Sequence, residues 1–282
     1  MKLLRYGIAG QERPGILDSE GRIRDLSGVI ADLDGASLSA ASLTKIAALN
    51  INELPLVNEP VRIGPCVARV GKLVGIGLNY ADHAAESGLA LPKEPVVFMK
   101  ATSAISGPED PLIRPRNSTK LDWEVELGFV IGKEARYVSE AEAMEYIAGY
   151  CVINDVSERE FQLERGGQWD KGKSFDSFAP MGPYLVTRDE VPDPLNLHLW
   201  LKVNGKLFQD GSSRQMIFGP AFLVHYLSQF MSLQPGDVIT TGTPPGVGLG
   251  QKPPVYLEPG DLVELGIEGL GSQRQQVIAC PF

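Results

Sequence analysis

The chain has 282 residues, of which 43% are hydrophobic and 22% charged, a composition typical of a globular protein with one large domain or two small ones. Its 26 Lys and Arg against 35 Asp and Glu give a formal net charge of −9. This balance argues against a nucleic-acid-binding or membrane-surface protein, because both need a basic surface. No apolar run approaches the ~18 residues of a membrane span, and we expect no signal peptide because the N-terminus lacks an apolar core. The three cysteines are far apart with no CxxC pair, which excludes a disulfide framework or thiolate zinc site and favours a reducing compartment.

The first 70 residues are predicted to form a small α+β unit. Short strands are predicted over residues 1–6, 13–17 and 22–25, and apolar spacing predicts a helix over residues 39–49. The prolines of residues 55–65 indicate an extended connector. We therefore predict a small N-terminal domain over residues 1–70 and a second domain over residues 71–282.

The second segment is predicted to be dominated by strands. The sequence contains 31 Gly and 21 Pro, which favours many turns and short elements. Strands are predicted over residues 72–78, 96–100, 124–131, 149–153, 195–203, 238–241 and 262–267, and helices over 81–87, 139–147, 157–165 and 220–231. Asn204-Gly205 predicts a hairpin after the fifth of these strands. The predicted fold class is therefore mostly β, within the α+β group.

An acidic row lies where one of these strands begins. The sequence of residues 121–127 alternates, which predicts Asp122, Glu124 and Glu126 on one face and apolar residues on the other. Carboxylates on one face repel each other and lose solvation on burial. A hard cation such as Mg²⁺ would offset that cost. The alternative is a solvated strand face whose acids pair with Lys or Arg.

A further carboxylate follows the predicted strand over residues 149–153. Asp155 precedes a predicted helix, and Arg159 and Gln162 lie four and seven residues after it, on roughly one helix face. A carboxylate, a guanidinium and an amide on one side suit an anionic, oxygen-rich ligand beside a metal. An N-cap role for Asp155 and an ordinary salt bridge for Arg159 are the alternatives.

The chain has only three histidines, so a histidine base has few candidates. His83 and Glu86 are three residues apart in a predicted helix and can touch. A carboxylate that orients an imidazole is a common way to make a general base, although such a pair is also a common surface ion pair. His198 is predicted on a strand surface, and His225 is predicted to be a packed, hydrogen-bonded residue of an apolar helix.

Two glycine-containing segments leave alternatives open. Lys173 lies in a segment over residues 171–183 that is predicted as a loop, where it is either an exposed lysine or a fixed cation in a pocket. The segment over residues 240–250 has neither the P-loop ending nor the GxGxxG spacing. It is either a plain turn between strands or a backbone that approaches a ligand closely.

Six of these motifs occur in a fixed order. They are Gly77-Leu-Asn-Tyr-Ala-Asp-His-Ala-Ala-Glu86, Phe98-Met-Lys100, Asp122-x-Glu124-x-Glu126, Asn154-Asp155-x-x-x-Arg159-x-x-Gln162, Gly172-Lys-Ser-Phe175 and Thr241-Gly-Thr-Pro-x-Gly-Val-Gly248. In this combination the sequence resembles the fumarylacetoacetate hydrolase superfamily over about residues 72–282. The first 70 residues resemble the small N-terminal domain of its two-domain bacterial members.

The resemblance implies a fold and a metal site. The implied fold is a mixed β-sandwich roll, usually in a homodimer. The implied cofactor is Mg²⁺, with Mn²⁺ or Ca²⁺ as alternatives, held by Glu124, Glu126 and Asp155.

The resemblance also implies roles for the remaining motif residues. His83 with Glu86 would activate water, and Lys173 would be a cation near the substrate enolate. The implied substrate contacts are Arg159, Gln162, Thr243 and Lys100.

The reaction implied by the resemblance is hydrolysis of a 2,4-diketo acid. The full-length layout is similar to members that cleave 2,4-diketo-3-deoxy-L-rhamnonate or L-fuconate between C3 and C4, giving pyruvate and lactate. The alternatives are fumarylpyruvate or acetylpyruvate hydrolysis, oxaloacetate decarboxylation, isomerisation of a hydroxydienedioate and a metal-dependent binding protein without activity. We expect a small anionic substrate, a homodimer, no nucleic-acid or membrane partner, and a cytoplasmic location.

Overall fold

Strands form most of the regular structure in the computed structural model, which describes residues 1–58, 60–82 and 91–282. The strands are β1 Lys2–Tyr6, β2 Arg13–Leu17, β3 Ile23–Asp25, β4 Leu73–Gly77, β5 Val96–Lys100, β6 Ile105–Ser106, β7 Leu112–Arg114, β8 Leu121–Asp122, β9 Val125–Ile131, β10 Ile147–Asn154, β11 Ser157–Glu158, β12 Ala179–Pro180, β13 Leu185–Thr187, β14 His198–Val203, β15 Lys206–Ser212, β16 Val238–Thr240, β17 Leu262–Ile267 and β18 Gly271–Ala279. The α-helices within the described residues are α1 Ala40–Ala47, α2 Arg159–Leu163, α3 Asp170–Lys173 and α4 Pro220–Leu227.

Two mixed sheets carry the fold. The larger one has nine strands in the order β3-β2-β1-β13-β10-β9-β16-β4-β5, and the smaller one has five in the order β15-β14-β17-β18-β7. Their neighbouring strands are antiparallel except for the parallel pairs β16–β4 and β18–β7. The prediction of a mostly β fold is confirmed, and the hairpin at Asn204-Gly205 joins β14 to β15 as predicted.

The central strands of the larger sheet lie at the heart of the core. Every residue of β9 and β10 is buried. Phe129 and Val152 from these strands belong to the same hydrophobic cluster as Leu201 and Leu265 from the smaller sheet. Apolar side chains of both sheets therefore share one core, and the ends of β9 and β10 are held in place by it.

The first strands extend the larger sheet. β1 pairs with β13, with Leu3 opposite Leu185, and β2 and β3 follow at the edge. A second, smaller apolar cluster of Leu4, Tyr6 and Ile23 lies within the first segment. Strands from both predicted segments thus belong to one sheet, while the division between residues 70 and 71 stays a prediction.

Several predicted elements differ from the structure. The predicted helix over residues 139–147 is a 3₁₀ helix, Glu140–Tyr146, and the one over residues 157–165 is shortened because its first two residues form β11, paired with β8. The predicted helix over residues 81–87 lies mostly outside the described residues. β18 was missed because Gln273 and Gln275 point inward among alternating residues, so its buried face does not look apolar.

None of the helices in residues 1–58, 60–82 and 91–282 has the length and apolar character that crossing a bilayer requires.

Candidate active site

The acidic row does not form one continuous strand, contrary to the prediction. β8 ends at Asp122 and β9 begins at Val125. The Asp122 carboxylate accepts hydrogen bonds from the N–H groups of Gly248 (2.7 Å) and Leu249 (3.0 Å) and from Arg159 Nε (2.8 Å). Asp122 therefore ties the glycine-rich loop of residues 240–250 to Arg159 and does not join the other two acids of the row.

The three predicted metal ligands lie together. Glu124, Glu126 and Asp155 are buried, and each offers an oxygen that lies within 4.8 Å of the others. The register of β9 and β10 sets Ile153 opposite Glu126, and the Asp155 N–H donates to the Glu124 carbonyl at 2.9 Å. Two neighbouring strand ends thus bring together acids that are about 30 residues apart in the chain.

Three buried cations surround two of these acids. Lys173 Nζ donates to Glu124 Oε2 at 2.9 Å and to Asp155 Oδ2 at 2.7 Å. Arg159 Nη2 lies 2.7 Å from Glu124 Oε1, and Lys100 Nζ lies 2.5 Å from Asp155 Oδ1. Burial alone would raise the pKa of Glu124, but Lys173 and Arg159 outweigh it and lower that pKa to about 2. Glu124 is therefore a permanent carboxylate at neutral pH.

Glu126 differs from its two neighbours. Its Oε2 accepts a hydrogen bond from the Gly242 N–H at 2.8 Å, but within residues 1–58, 60–82 and 91–282 no Lys or Arg forms an ion pair with it. Burial, reinforced by the negative charges of Asp155 and Glu124, raises its pKa well above the usual value. Among the described residues, Glu126 is therefore the one acid of the cluster that has no cationic partner.

Arg159 and Gln162 reach the cluster from the first turn of α2. Both are buried, and Arg159 Nη1 donates to Gln162 Oε1 at 3.0 Å. The helix begins at Arg159 because Glu158 caps it, its carboxylate accepting from the Phe161 N–H at 2.8 Å. Contrary to the prediction, Asp155 precedes the helix and does not share its face. The side chains of Asp155, Arg159 and Gln162 nevertheless line one cavity.

The two predicted site lysines lie in different places relative to the cavity. Lys173 ends the short helix α3 and is only 2% exposed, so both its predicted loop and the exposed alternative were wrong, and it is a fixed cation. Lys100 has a fully buried side chain that contacts Asp155 and the Val156 carbonyl (3.2 Å). It lies behind Asp155 and is not among the residues that line the cavity, which does not match the predicted substrate contact.

The glycine-rich loop approaches the cluster through its backbone. Gly242 has a φ of +89°, and a Cβ there would lie 2.9 Å from Asn79 Cβ, so only glycine fits without displacement. Thr243 lines the cavity, but its hydroxyl donates to the Val125 carbonyl (2.9 Å) and accepts from Gln209 Nε2 (2.8 Å). The loop is therefore more than a plain turn, and the Thr243 hydroxyl serves the protein's own hydrogen bonds.

A cavity of about 480 Å³ opens above the cluster. Sequence reasoning missed most of its wall, which includes Phe98, Leu163, Trp169, Leu249 and Lys252. The sequence holds one signal of this wall, the glycine at position 77, where a Cβ would lie 2.4 Å from the Trp169 ring. The glycine at the end of β4 thus makes room for that ring, but no local pattern pairs residues so far apart.

The predicted base, His83 with Glu86, lies outside the described residues, and its role stays a prediction. The other two histidines are where they were expected. His198 is exposed on β14 and lies 2.6 Å from Asp210 Oδ1, and His225 Nδ1 lies 2.7 Å from the Val138 carbonyl in a partly buried position.

Fold and site together define a mostly β protein with a buried carboxylate cluster at the floor of a cavity. The sequence model of the fumarylacetoacetate (FAA) hydrolase C-terminal family matches residues 72–278 of the chain. The chain belongs to the fumarylacetoacetate hydrolase family.

Individual relatives agree with this assignment. A Burkholderia multivorans protein, whose name suggests a hydrolase and gives no substrate, is 65% identical over 276 residues that cover 98% of each chain. The solved fumarylacetoacetate hydrolase from psychrophilic Exiguobacterium antarcticum has a TM-score of 0.86 and 36% identity over 99% of each chain.

Two further solved structures carry the names of different reactions. Maleylpyruvate hydrolase from Sphingobium sp. SYK-6, in complex with manganese(II) and pyruvate, has a TM-score of 0.83 and 26% identity, covering 99% of this chain and 100% of that one. The 2-hydroxyhepta-2,4-diene-1,7-dioate isomerase from Mycobacterium marinum has a TM-score of 0.75 and 30% identity over 100% of both chains. Similarity in fold is therefore shared by hydrolases and isomerases.

Proposed function

We propose that the protein is a divalent-metal-dependent hydrolase that cleaves the C3–C4 bond of a 2,4-diketo acid and releases pyruvate. The observation that supports this most is the buried cluster of Glu124, Glu126 and Asp155, flanked by Arg159 and Lys173 at the floor of a cavity. Within this class, the sequence resemblance favours 2,4-diketo-3-deoxy-L-rhamnonate or L-fuconate, with pyruvate and lactate as products.

The donor set fits a divalent cation. All three side chains offer carboxylate oxygens, which are the ligands that Mg²⁺ and Mn²⁺ prefer. Glu126 lacks a positive partner in the described residues, so an added cation would neutralise a charge that burial otherwise penalises. A cation bound there supplies a Lewis acid for a keto oxygen. We propose Mg²⁺, and the manganese in the maleylpyruvate hydrolase structure supports a divalent cation of this kind.

Arg159 and Lys173 would make the floor of the cavity attractive to an anion once a bound divalent cation offsets the charge of the carboxylates with which they pair. Arg159 is 5% exposed and Lys173 is 2% exposed, and charge-assisted hydrogen bonds from such buried donors are strong. Burial alone would lower the pKa of Lys173, but Asp155 and Glu124 raise it above the usual value. Lys173 is therefore an ammonium group throughout the neutral pH range.

This ammonium group has a place in the proposed reaction. Addition of water to the C4 carbonyl and cleavage of the C3–C4 bond leave the bonding electron pair on the pyruvate fragment as an enolate, which takes up a proton at C3. Lys173 Nζ is held at the floor by two carboxylates, where it can stabilise the negative charge that develops on the enolate oxygen. His83, oriented by Glu86, is proposed as the base that activates the water.

Isomerisation of a hydroxydienedioate is the second candidate. The similarity to the Mycobacterium marinum isomerase favours it, because a cation and an ammonium group near an enolate also serve a proton shift. An isomerase adds no water and releases no pyruvate, so the products separate the two candidates.

The test is pyruvate release from a panel of diketo acids, coupled to lactate dehydrogenase, with Mg²⁺ and after EDTA treatment. We expect release that EDTA abolishes and that added Mg²⁺ or Mn²⁺ restores. Release that EDTA does not change would contradict the metal dependence. A shift in the ultraviolet spectrum of a hydroxydienedioate, with no pyruvate from any diketo acid, would favour the isomerase.

The family resemblance and the cysteines also suggest an oligomeric state and a cellular location. We propose a homodimer, which light scattering would report as twice the 30.5 kDa chain mass. We also propose a cytoplasmic location, because the widely spaced cysteines are free, two of them buried and one partly buried.

A further inference from the structure

The cavity changes character between its floor and its mouth. The floor consists of charged and amide groups that are almost fully buried, such as Glu126 (1% exposed) and Lys173 (2%). The mouth includes apolar side chains with much larger exposed fractions, Leu163 at 46% and Leu249 at 39%. A substrate whose reacting end lies on the floor would therefore extend along an apolar wall toward solvent.

Lys252 stands at this mouth on a backbone that is held in place. The residue lines the cavity and is exposed. The Gly248 carbonyl accepts the N–H groups of Gln251 (3.2 Å) and Val255 (3.0 Å), one on each side of Lys252. Asp122 in turn holds the Gly248 N–H. The same carboxylate that positions Arg159 at the floor thus fixes the segment that presents Lys252 at the mouth.

The cations of the cavity differ in whether they have an acidic partner. Arg159 contacts Asp122 and Glu124, and Lys173 contacts Glu124 and Asp155. In the part of the chain that the structure describes, Lys252 forms no ion pair with an acidic residue. A positive charge without a partner, next to an apolar wall in a protein of net charge −9, favours a negative group on the ligand.

We propose that Lys252 is a specificity-determining residue that binds a second carboxylate at the far end of the substrate. The preferred substrate class is then a dianion, an acylpyruvate whose acyl group ends in a carboxylate. This inference rests on the proposed function, because it assumes that the diketo-acid end lies on the floor. It differs from the neutral, hydroxyl-bearing tail of the sugar-acid substrates that the sequence resemblance favours.

The test compares a dianionic with a monoanionic substrate in wild type and in Lys252→Gln. We expect the variant to lower kcat/KM for fumarylpyruvate about three- to tenfold, mainly by raising KM, as befits a partly solvated ion pair. The value for acetylpyruvate should stay the same. Lys252→Glu should lower the fumarylpyruvate value further. Lys45→Gln, which changes an exposed lysine of α1 by the same charge, is the matched control and should leave both values unchanged.

A binding measurement keeps this inference separate from the proposed reaction. If wild type turns over neither substrate, the proposed function fails, and the Lys252 site is then judged by calorimetric binding of adipate and hexanoate in the presence of Mg²⁺. The two probes have equal length and differ by one carboxylate. Preference of wild type for adipate, lost in Lys252→Gln, supports the site. Equal effects of Lys252→Gln on both substrates, no effect on either, or no adipate preference in wild type would overturn it.

Discussion

Two buried carboxylates, Asp18 in the first segment and Glu126 in the cavity, have opposite surroundings. Asp18 accepts hydrogen bonds from the N–H groups of Glu20 (3.0 Å) and Arg22 (2.9 Å) and from the Nε atoms of Arg22 (3.0 Å) and Arg24 (2.9 Å). Glu126 accepts from the Gly242 N–H and has no cationic partner among the described residues. One carboxylate is fully satisfied by the protein, whereas the other is not.

The pKa directions follow from this difference. Burial would raise the pKa of Asp18, but hydrogen bonds from Arg22 and Arg24 lower it well below its usual value. The pKa of Glu126 is raised by burial and by the neighbouring carboxylates. A satisfied carboxylate stabilises the folded chain, and an unsatisfied one is costly unless a ligand neutralises it. Asp18 is therefore a structural acid, whereas Glu126 is a candidate metal ligand.

The largest effect is expected for Glu126→Gln. The change removes a proposed metal ligand, and we expect pyruvate release to fall roughly 100- to 1000-fold, with a parallel loss of Mn²⁺ binding by calorimetry. The metal-free protein should melt at the same or a higher temperature, because Glu126 forms no ion pair in the described part of the chain and burial penalises its charged form. Glu140→Gln, an exposed acid on the 3₁₀ helix, is the control. A metal-free variant that melts clearly below wild type would contradict this account.

An intermediate effect is expected for Gly242→Ala. The new Cβ would meet Asn79 and displace the N–H that holds Glu126, so Mn²⁺ affinity should fall about tenfold, as for other groups that orient metal ligands. Gly260→Ala is a matched control, since Gly260 also has a positive φ (+104°) but a Cβ there would meet nothing within 4 Å. Both changes should lower the melting temperature through backbone strain, and only Gly242→Ala should weaken the metal. Equal metal affinity in the two variants would show that this N–H does not matter.

The smallest effect on the site is expected for Asp18→Asn. It should lower the melting temperature by a few degrees and leave pyruvate release at 25 °C unchanged. Because the folded pKa of Asp18 is depressed, its contribution is present above the unfolded value of about 3.9 and is lost as pH falls below it. Urea unfolding should therefore show a constant gap between wild type and variant from about pH 5 to 7 that narrows toward pH 3. Glu20→Gln, an exposed partner of Arg22, should show a smaller gap, and a gap that widens in acid would refute the linkage.

Local patterns predicted much of the secondary structure but missed β13 in the larger sheet and β7 and β18 in the smaller one. β5, β2 and β17 have the predicted bounds because each is a short run that combines apolar residues with at least one β-branched residue and lies between turn or loop residues. β13 was missed because three residues carry no periodicity. β18 was missed because buried glutamines replace the expected apolar residues: Gln273 Nε2 donates to the Val152, Pro180 and Gly182 carbonyls.

The mostly β class and the residue types of the site can be predicted from the sequence alone, because side-chain alternation and the motif spacings are local properties. The resemblance already groups Glu124, Glu126 and Asp155, which do lie together, but the packing shows that Asp122 leaves the row to hold Arg159 and the loop. Only the tertiary structure buried Lys173, set Lys100 behind Asp155, and put Lys252 at the mouth. Burial and pairing of a charge depend on residues distant in the chain that packing brings near, and no local pattern contains that information.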